Sequence, residues 1–154
     1  MEKDLLREIN LYLVDIFNQV LIIEESSLQS SDFSDLSVKE MHTIEAIGLF
    51  GNTTSGVAKK LRVTAGTVSV SIRNLVKKDY VIREADPKDR RVITLRLTKK
   101  GKLLYRLHAK FHHKMVERSI TGMKNEEATV LIKGLQNLYS FLQEIDLQAE
   151  EELQ

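Results

Sequence analysis

The fold is decided by residues 53–78, which read TTSGVAKKLRVTAGTVSVSIRNLVKK. Thr53 or Thr54 can cap a short helix, and Thr64 can cap a second one, because a threonine hydroxyl accepts hydrogen bonds from the free amides of a first helical turn. Residues 62–63 remain as the turn between the two helices. This stretch therefore predicts a helix-turn-helix.

A hairpin is predicted directly after it. Residues 80–85 and 92–97 are rich in β-branched residues, which favour strands. The only proline of the chain, Pro87, lies between them in the Asp-Pro-Lys-Asp sequence of residues 86–89, which is typical of a turn. The hairpin would stand beside the two helices as a wing.

Positive charge is concentrated in the same part of the chain. The 154 residues carry a formal net charge of only +1, but residues 51–102 hold 14 Lys and Arg against 4 Asp and Glu, a net +10. The rest of the chain must then carry −9. A basic region flanked by an acidic scaffold indicates an anionic partner such as DNA.

Composition excludes several classes of protein. The chain has no cysteine, which rules out a disulfide, a zinc–cysteine site and a thiol redox sensor. Residues 1–10 lack the apolar core of a signal peptide, and no stretch has the ~20 apolar residues that cross a bilayer, so we expect a cytoplasmic protein outside the membrane. No nucleophile motif, phosphate-binding loop or glycine-rich cofactor turn is present, so we expect neither an enzyme nor a required cofactor.

Two helices are predicted before the helix-turn-helix. Residues 2–28 place apolar side chains at steps of three and four, as a long amphipathic helix does. A polar loop at residues 26–35 follows, after which Ser37 and Glu40 form a capping box for a helix that runs through Phe50. We expect the Gly-Asn pair that comes next to end this helix.

Two more long helices are predicted after the wing, at residues 98–120 and 125–147, from the same periodicity. Three long amphipathic helices cannot all bury their apolar stripes within one protomer of this size. A homodimer would bury the excess.

The predicted elements define a single domain over residues 1–154, mainly α-helical with a small β-hairpin wing. Its winged helix-turn-helix region, residues 37–101, is the predicted DNA-binding part. Residues 1–30 and 103–147 form the predicted helical dimerisation region.

The helix after Thr64 is suited to a major groove because its side chains are small or carry hydroxyls, which permits close approach and hydrogen bonds to base edges. In the wing, a carboxylate can fix an arginine that enters a minor groove. Any one of these residues could instead be an ordinary cap or a solvated charge, but the order of the elements favours DNA binding for the set. The residues expected to meet DNA are Thr54, Thr64, Ala65, Gly66, Thr67, Ser69, Ser71, Arg73, Asp86, Lys88, Asp89, Arg90, Arg91 and Lys99.

The chain resembles the MarR family of winged-helix regulators. The most specific segments are residues 86–91 (DPKDRR) and 95–101 (LRLTKKG), which look like the family's wing and its entry into the next helix. Asp79 stands where the family usually has glycine, and aspartate tolerates the left-handed conformation better than most residues. The resemblance implies a dimer that binds a palindromic duplex.

Within the family, residues 16–18, 38–44, 106–108 and 111–112 resemble the repressors of fatty-acid biosynthesis from lactic-acid bacteria and streptococci. That resemblance implies control of fatty-acid synthesis genes, with long-chain acyl-acyl carrier protein as corepressor. The residues expected to line a pocket for the acyl chain are Phe17, Val20, Leu21, Ile44, Ile47, Leu104, Leu107 and Phe111, although such a stripe is more often plain core. The basic residues expected to meet the acidic carrier protein are Lys110, Lys114 and Arg118.

The histidines leave an alternative open. His108 and His112 are four positions apart and share one helical face, which is a workable spacing for metal ligands. His42 with Glu24 or Glu25 could complete the site, and the set resembles the ligands of a zinc-responsive repressor in the same family. Zinc sensing is therefore the alternative effector, and hydrogen bonding at a domain junction is the simpler fate of these histidines.

Overall fold

The computed structural model describes residues 2–152, with side chains described for residues 2–146. These residues form six α-helices and one antiparallel β-hairpin, which confirms the predicted fold class. The termini of the predicted 1–154 domain, Met1 and residues 153–154, lie outside the described residues. In chain order the elements are α1 (Glu2–Gln29), α2 (Val38–Ile47), α3 (Thr54–Leu61), α4 (Ala65–Lys77), β1 (Val81–Ala85), β2 (Ile93–Leu97), α5 (Lys99–Ser119) and α6 (Asn125–Glu152).

The predicted helix caps are present. The Thr53 hydroxyl accepts from the amide of Gly56 at 3.1 Å, so Thr53 rather than Thr54 caps α3. Thr64 caps α4 in the same way, and Ser37 with Glu40 forms the complete capping box of α2. Side-chain oxygens thus bind amides that the first helical turns would otherwise leave unpaired.

The ends of the helices differ from prediction at three places. The expected loop at residues 26–35 begins later, because α1 continues to Gln29; the Ser26 hydroxyl donates to the carbonyl of Ile23 at 3.2 Å, which is compatible with helical backbone. Helix α2 stops at Ile47 and not at Phe50, since its C-cap Gly48 adopts a φ of 71° that ends the helix. Helix α6 continues past residue 147 to Glu152.

The chain divides into two compact units, Met1–Ala109 and Lys110–Gln154. In the first unit α2, α3, α4 and the wing share a core that includes the fully buried Ile44, Val57, Leu75 and Leu95. Burying an aliphatic side chain of this size contributes about 1.5–3 kcal/mol. Val68 of α4 joins this cluster together with Val57 of α3, so these two helices pack on each other. Among the described residues, no helix combines the length and the apolar character needed to span a bilayer.

The hairpin of the wing contacts neighbouring segments at two places, along β2 and at the start of β1. β1 and β2 pair antiparallel, with Arg83 opposite Leu95, and Asn52 adds a bridge to Leu95 on the other edge of β2. A Cβ on Gly101, in the first turn of α5, would overlap the carbonyl oxygen of Tyr80. Helix α5 therefore approaches the start of the hairpin at a distance that only glycine allows.

Candidate nucleic-acid interface

Helix α4 has one buried and one exposed face. Val68, Ser71, Ile72 and Leu75 are buried, whereas Ala65, Gly66 and Arg73 are exposed and Thr67 and Ser69 are partly exposed. The expectation that Ser71 meets DNA is therefore wrong for this protomer. Ser71 follows Val68 by three positions and precedes Leu75 by four, so helical periodicity places it on the packing face.

The hydroxyls at the start of α4 already have local partners. The hydroxyl oxygens of Thr64 and Thr67 are 2.9 Å apart, and the Ser69 hydroxyl donates to the carbonyl of Ala65 at 2.8 Å. Because the Ser69 hydroxyl donates its proton to this carbonyl, its oxygen remains available as a hydrogen-bond acceptor. Such an acceptor suits the exocyclic amino group of adenine or cytosine in a major groove.

The first turn of α4 also favours an anion. It contains no acidic residue, and its free amides carry the positive end of the helix dipole. Thr54, in the first turn of α3, is partly exposed beside the Thr53 cap. These two helix starts are suited to binding phosphates, because helix N-termini present free amides to an anion.

Two carboxylates shape the loop of the wing. Asp86 accepts from the amides of Lys88 at 2.7 Å and Asp89 at 3.1 Å. Asp89 accepts from both the amide (3.0 Å) and the Nε (3.1 Å) of Arg91, and this guanidinium holds the pKa of Asp89 below its usual range. The expected pairing of a wing arginine with a carboxylate is present, and the arginine concerned is Arg91. Its neighbour Arg90 is exposed.

The basic side chains of the wing are exposed to solvent, which suits them to binding DNA. The side chain of Arg91 is 91% exposed although its guanidinium is held at one edge by Asp89. Lys88 and Lys99 are exposed as well. A restrained, solvent-facing arginine loses less conformational entropy on binding than a free one, so this loop is prepared for an anionic groove.

The side chains expected to line an effector pocket lie in three different surroundings. Ile44, Ile47 and Leu104 are buried in the core of the first unit, Val20 is partly buried, and Phe17, Leu21 and Leu107 are exposed. Phe111 belongs to the second unit. The three core residues belong to the hydrophobic cluster of the first unit. Their helical periodicity reflected core packing.

A cavity of about 300 Å³ adjoins α4 in the first unit. Of the residues expected to contact an effector, Leu21 of α1 is among its walls. The other lining residues are Val38, Lys39, His42, Thr43, Leu61, Val63, Thr67, Val68 and Ser71. A molecule in this space would touch both α1 and α4.

Glu24 joins two histidines inside the first unit. Its carboxylate is buried, with one oxygen 3.2 Å from His42 Nε2 and the other 2.9 Å from His108 Nε2. His108 Nδ1 is 3.5 Å from a carboxylate oxygen of Glu45. The neighbouring Glu25 is exposed and lines a different cavity, so Glu24 is the relevant glutamate of the expected pair.

Sequence reasoning missed one member of this group. Atoms of His42, Glu45 and His108 that can bind a metal lie within 4.8 Å of one another. Glu45 follows His42 by three positions on α2, and that spacing was the signal for it. Of the other expected ligands, His112 belongs to the second unit, where its ring packs edge-on against Phe111.

The basic residues expected to meet a carrier protein are exposed. Lys110, Lys114 and Arg118 lie on the part of α5 that belongs to the second unit. They are four positions apart, so they form one stripe along the helix. The stripe is thus accessible to an acidic partner.

Comparisons with known proteins agree with this geometry. A sequence model described as the MarR family matches residues 34–92. The crystal structure of Streptococcus pneumoniae FabT in complex with DNA is 53% identical in sequence, covers 90% of this chain and 98% of its own, and superposes with a TM-score of 0.81.

Two further proteins are similar to this chain, one in sequence and one in fold. The HTH-type transcriptional regulator YkoM of Bacillus subtilis is 26% identical over 132 residues, which is 85% of each chain. The S. aureus MepR–DNA complex shares the fold, with a TM-score of 0.66 and 24% identity over 84% of this chain and 93% of its own.

Proposed function

Because this chain belongs to the MarR family, we propose that it is a homodimeric DNA-binding repressor of fatty-acid synthesis genes with long-chain acyl-acyl carrier protein as corepressor. The observation that carries the proposal is the pairing of an exposed α4 start and an arginine-bearing wing in a chain 53% identical to FabT, which was crystallised with DNA. α4 would enter a major groove, and the wing would reach the neighbouring minor groove.

The proposed dimer follows from apolar surface on the end helices. A soluble monomer rarely exposes a long apolar face, so such a face marks an interaction surface. A second copy of this chain can cover such a face, since a twofold axis brings the same helix of the two copies together. The exposed side chains are Leu5, Leu6, Ile9, Tyr12, Ile16 and Phe17 on α1 and Val130, Leu135, Tyr139, Leu142 and Ile145 on α6.

Two features of the protein support the proposed corepressor: a basic stripe on α5 and a cavity beside α4. The stripe of Lys110, Lys114 and Arg118 is exposed and suits the acidic surface of a carrier protein. The cavity beside α4 has the size of the smallest ligand pockets, about 300 Å³. An acyl chain that enters it would contact Thr67 and could change how α4 is presented to DNA.

Zinc sensing is the second candidate, favoured by one observation. His42, Glu45 and His108 provide two imidazoles and a carboxylate within 4.8 Å, which is a suitable donor set for zinc. Zinc would supply a rigid link between α2 and α5 when bound. However, Glu24 already binds the Nε2 atom of each of these imidazoles.

One experiment distinguishes the two candidate effectors: titration of operator DNA with the protein, followed by fluorescence anisotropy. Its arms contain long-chain acyl-acyl carrier protein, the carrier protein without an acyl chain, the free fatty acid, and zinc with a chelator control. We expect acylated carrier protein alone to tighten binding, within the range of about 5- to 150-fold typical of allosteric coupling. Tightening by zinc alone would reverse the order of the two candidates.

Matched variants assign each response to its residues. Lys114→Glu should abolish the response to acylated carrier protein and leave the affinity for DNA in its absence unchanged. His42→Gln should do the same for any response to zinc. A response to acylated carrier protein that survives reversal of all three charges of the stripe would contradict the proposed docking surface.

A further inference from the structure

The C-terminal end of α4 is tied to the segment before α2 by Lys78. Its ammonium donates to the carbonyl oxygen of Asp35 at 2.5 Å and to the carboxylate of Glu40 at 2.8 Å. The same Glu40 oxygen accepts from the amide of Ser37 at 3.1 Å. The carboxylate that completes the capping box of α2 therefore also holds the end of α4.

Tyr80 makes a second tie to the same place. Asp79 adopts a φ of 64°, which turns the chain so that Tyr80 is buried and its hydroxyl donates to the carboxylate of Asp35 at 2.7 Å. Burial and this hydrogen bond raise the pKa of Tyr80, so the phenol remains a donor. The Thr98 hydroxyl, after the wing, donates to the carbonyl of Asp79 at 2.7 Å. We call residues 78–80 the junction.

The junction lies at the end of α4 opposite to the predicted reading residues. α4 has 13 residues and is thus roughly 20 Å long, so a tilt of a few degrees about its C-terminal end moves its start by about 1 Å. Apolar packing resists separation but is not directional, whereas a charge-assisted hydrogen bond has a defined geometry. The ion pair is therefore the contact best suited to set the angle of the helix.

We propose that Lys78 is a positioning residue for DNA recognition, which sets the angle of α4 by binding Glu40 and the carbonyl of Asp35. The inference rests on the proposed DNA-binding function. The ammonium is held by two protein acceptors at the end of α4 opposite to the predicted DNA-contacting residues, so Lys78 acts through the position of α4. Its neighbour Lys77 is exposed and carries the same charge, which provides a matched control.

The test compares binding to two duplexes: an operator obtained by in vitro selection with the wild-type protein, and a scrambled duplex of the same composition. Lys78→Met should lower the operator-to-scrambled affinity ratio about fivefold or more, the size of one lost base contact. The slope of log affinity against log salt should stay the same, because no phosphate contact is removed. Lys77→Met should leave the ratio unchanged.

Glu40→Gln provides a variant that protects the fold, since glutamine also completes a capping box but lacks the charge that pairs with Lys78. Glu40→Gln should also lower the operator-to-scrambled affinity ratio. If Lys78→Met does not fold, the ratio of Glu40→Gln tests the proposal instead. An unchanged ratio in the folded variants would overturn the proposal, even if their melting temperatures fall. A slope reduced by ~0.9 in Lys78→Met would also overturn it, by showing a phosphate contact. Failure of the DNA-binding function would appear in the wild type, which would then select no sequence.

Discussion

The guanidinium of Arg91 is fixed by the carboxylate of Asp89 in the same loop, with Nε 3.1 Å from Oδ1 and Nη2 3.4 Å from Oδ2. The carboxylate neutralises part of the charge but leaves most of the arginine side chain in solvent. The pair therefore holds an arginine in the position where the wing would meet DNA.

This pair predicts that the two wing arginines and Asp89 contribute differently to DNA binding. Arg91→Ala and Arg90→Ala should each weaken DNA binding and lower the salt slope by ~0.9 if each side chain binds one phosphate. Asp89→Ala should weaken binding less, because it frees Arg91 without removing it. Affinity measured at several salt concentrations checks this, with Arg7→Ala on α1 as the control. Salt curves for both wing variants that coincide with wild type would contradict a role of the wing in binding.

The two faces of α4 predict different outcomes for its serines. Ser69→Ala and Thr67→Val should change which operator sequences are preferred more than the overall affinity, since both side chains lie on the partly exposed face. Ser71→Ala should leave sequence preference as it is, because Ser71 is buried on the packing face of α4. Binding to a panel of single-base operator variants distinguishes them. An equal loss on every duplex for Ser69→Ala would indicate a phosphate contact instead.

The close approach of α5 to the hairpin predicts a large effect of a single methyl group. Gly101→Ala should lower the free energy of unfolding by about 1–3 kcal/mol, because the added Cβ overlaps the carbonyl of Tyr80. Gly66→Ala is the control, since its Cβ would meet only the Thr64 hydroxyl at 3.9 Å and alanine favours a helix by up to ~1 kcal/mol. Urea unfolding at one fixed protein concentration measures both. Equal stabilities of the two variants would show that α5 can move away from the hairpin.

The environment of Tyr80 predicts a dependence of stability on alkaline pH. Its pKa is raised above the ordinary 10.0, so the unfolded chain loses this proton before the folded chain does. The stability that Tyr80 contributes is therefore complete below pH 10.0 and declines as the pH rises above it. Over that range the wild type should lose stability more steeply than Tyr80→Phe, since the lysines titrate alike in both. Parallel curves would refute this account of Tyr80.

Local features of the fold could be predicted from the sequence because their causes are local. A capping hydroxyl such as that of Thr64 acts on amides two or three residues away, and the strands follow from β-branched residues on either side of a turn. Asp79 takes the left-handed conformation that was expected of it. The end of α2 was placed too late, because an unbroken apolar pattern concealed the role of Gly48.

Features that depend on packing could not be predicted in the same way. Glu24 and Glu25 differ by about 100° around α1, and only the position of α2 decides which one meets His42. Ser71 is polar enough for a reading face, yet the phase of α4 buries it. Ile44 has the same periodicity whether it lines a tunnel or fills a core, and here it fills a core.

The central claim is that residues 53–101 read DNA sequence as half of a symmetric dimer. Its most direct test is in vitro selection of wild-type protein against a random duplex library, followed by sequencing of the retained DNA. We expect a palindrome whose two half-sites are centred roughly 34–36 Å apart, one helical turn of DNA. Retention of DNA without a shared sequence, or of a single half-site without symmetry, would contradict it.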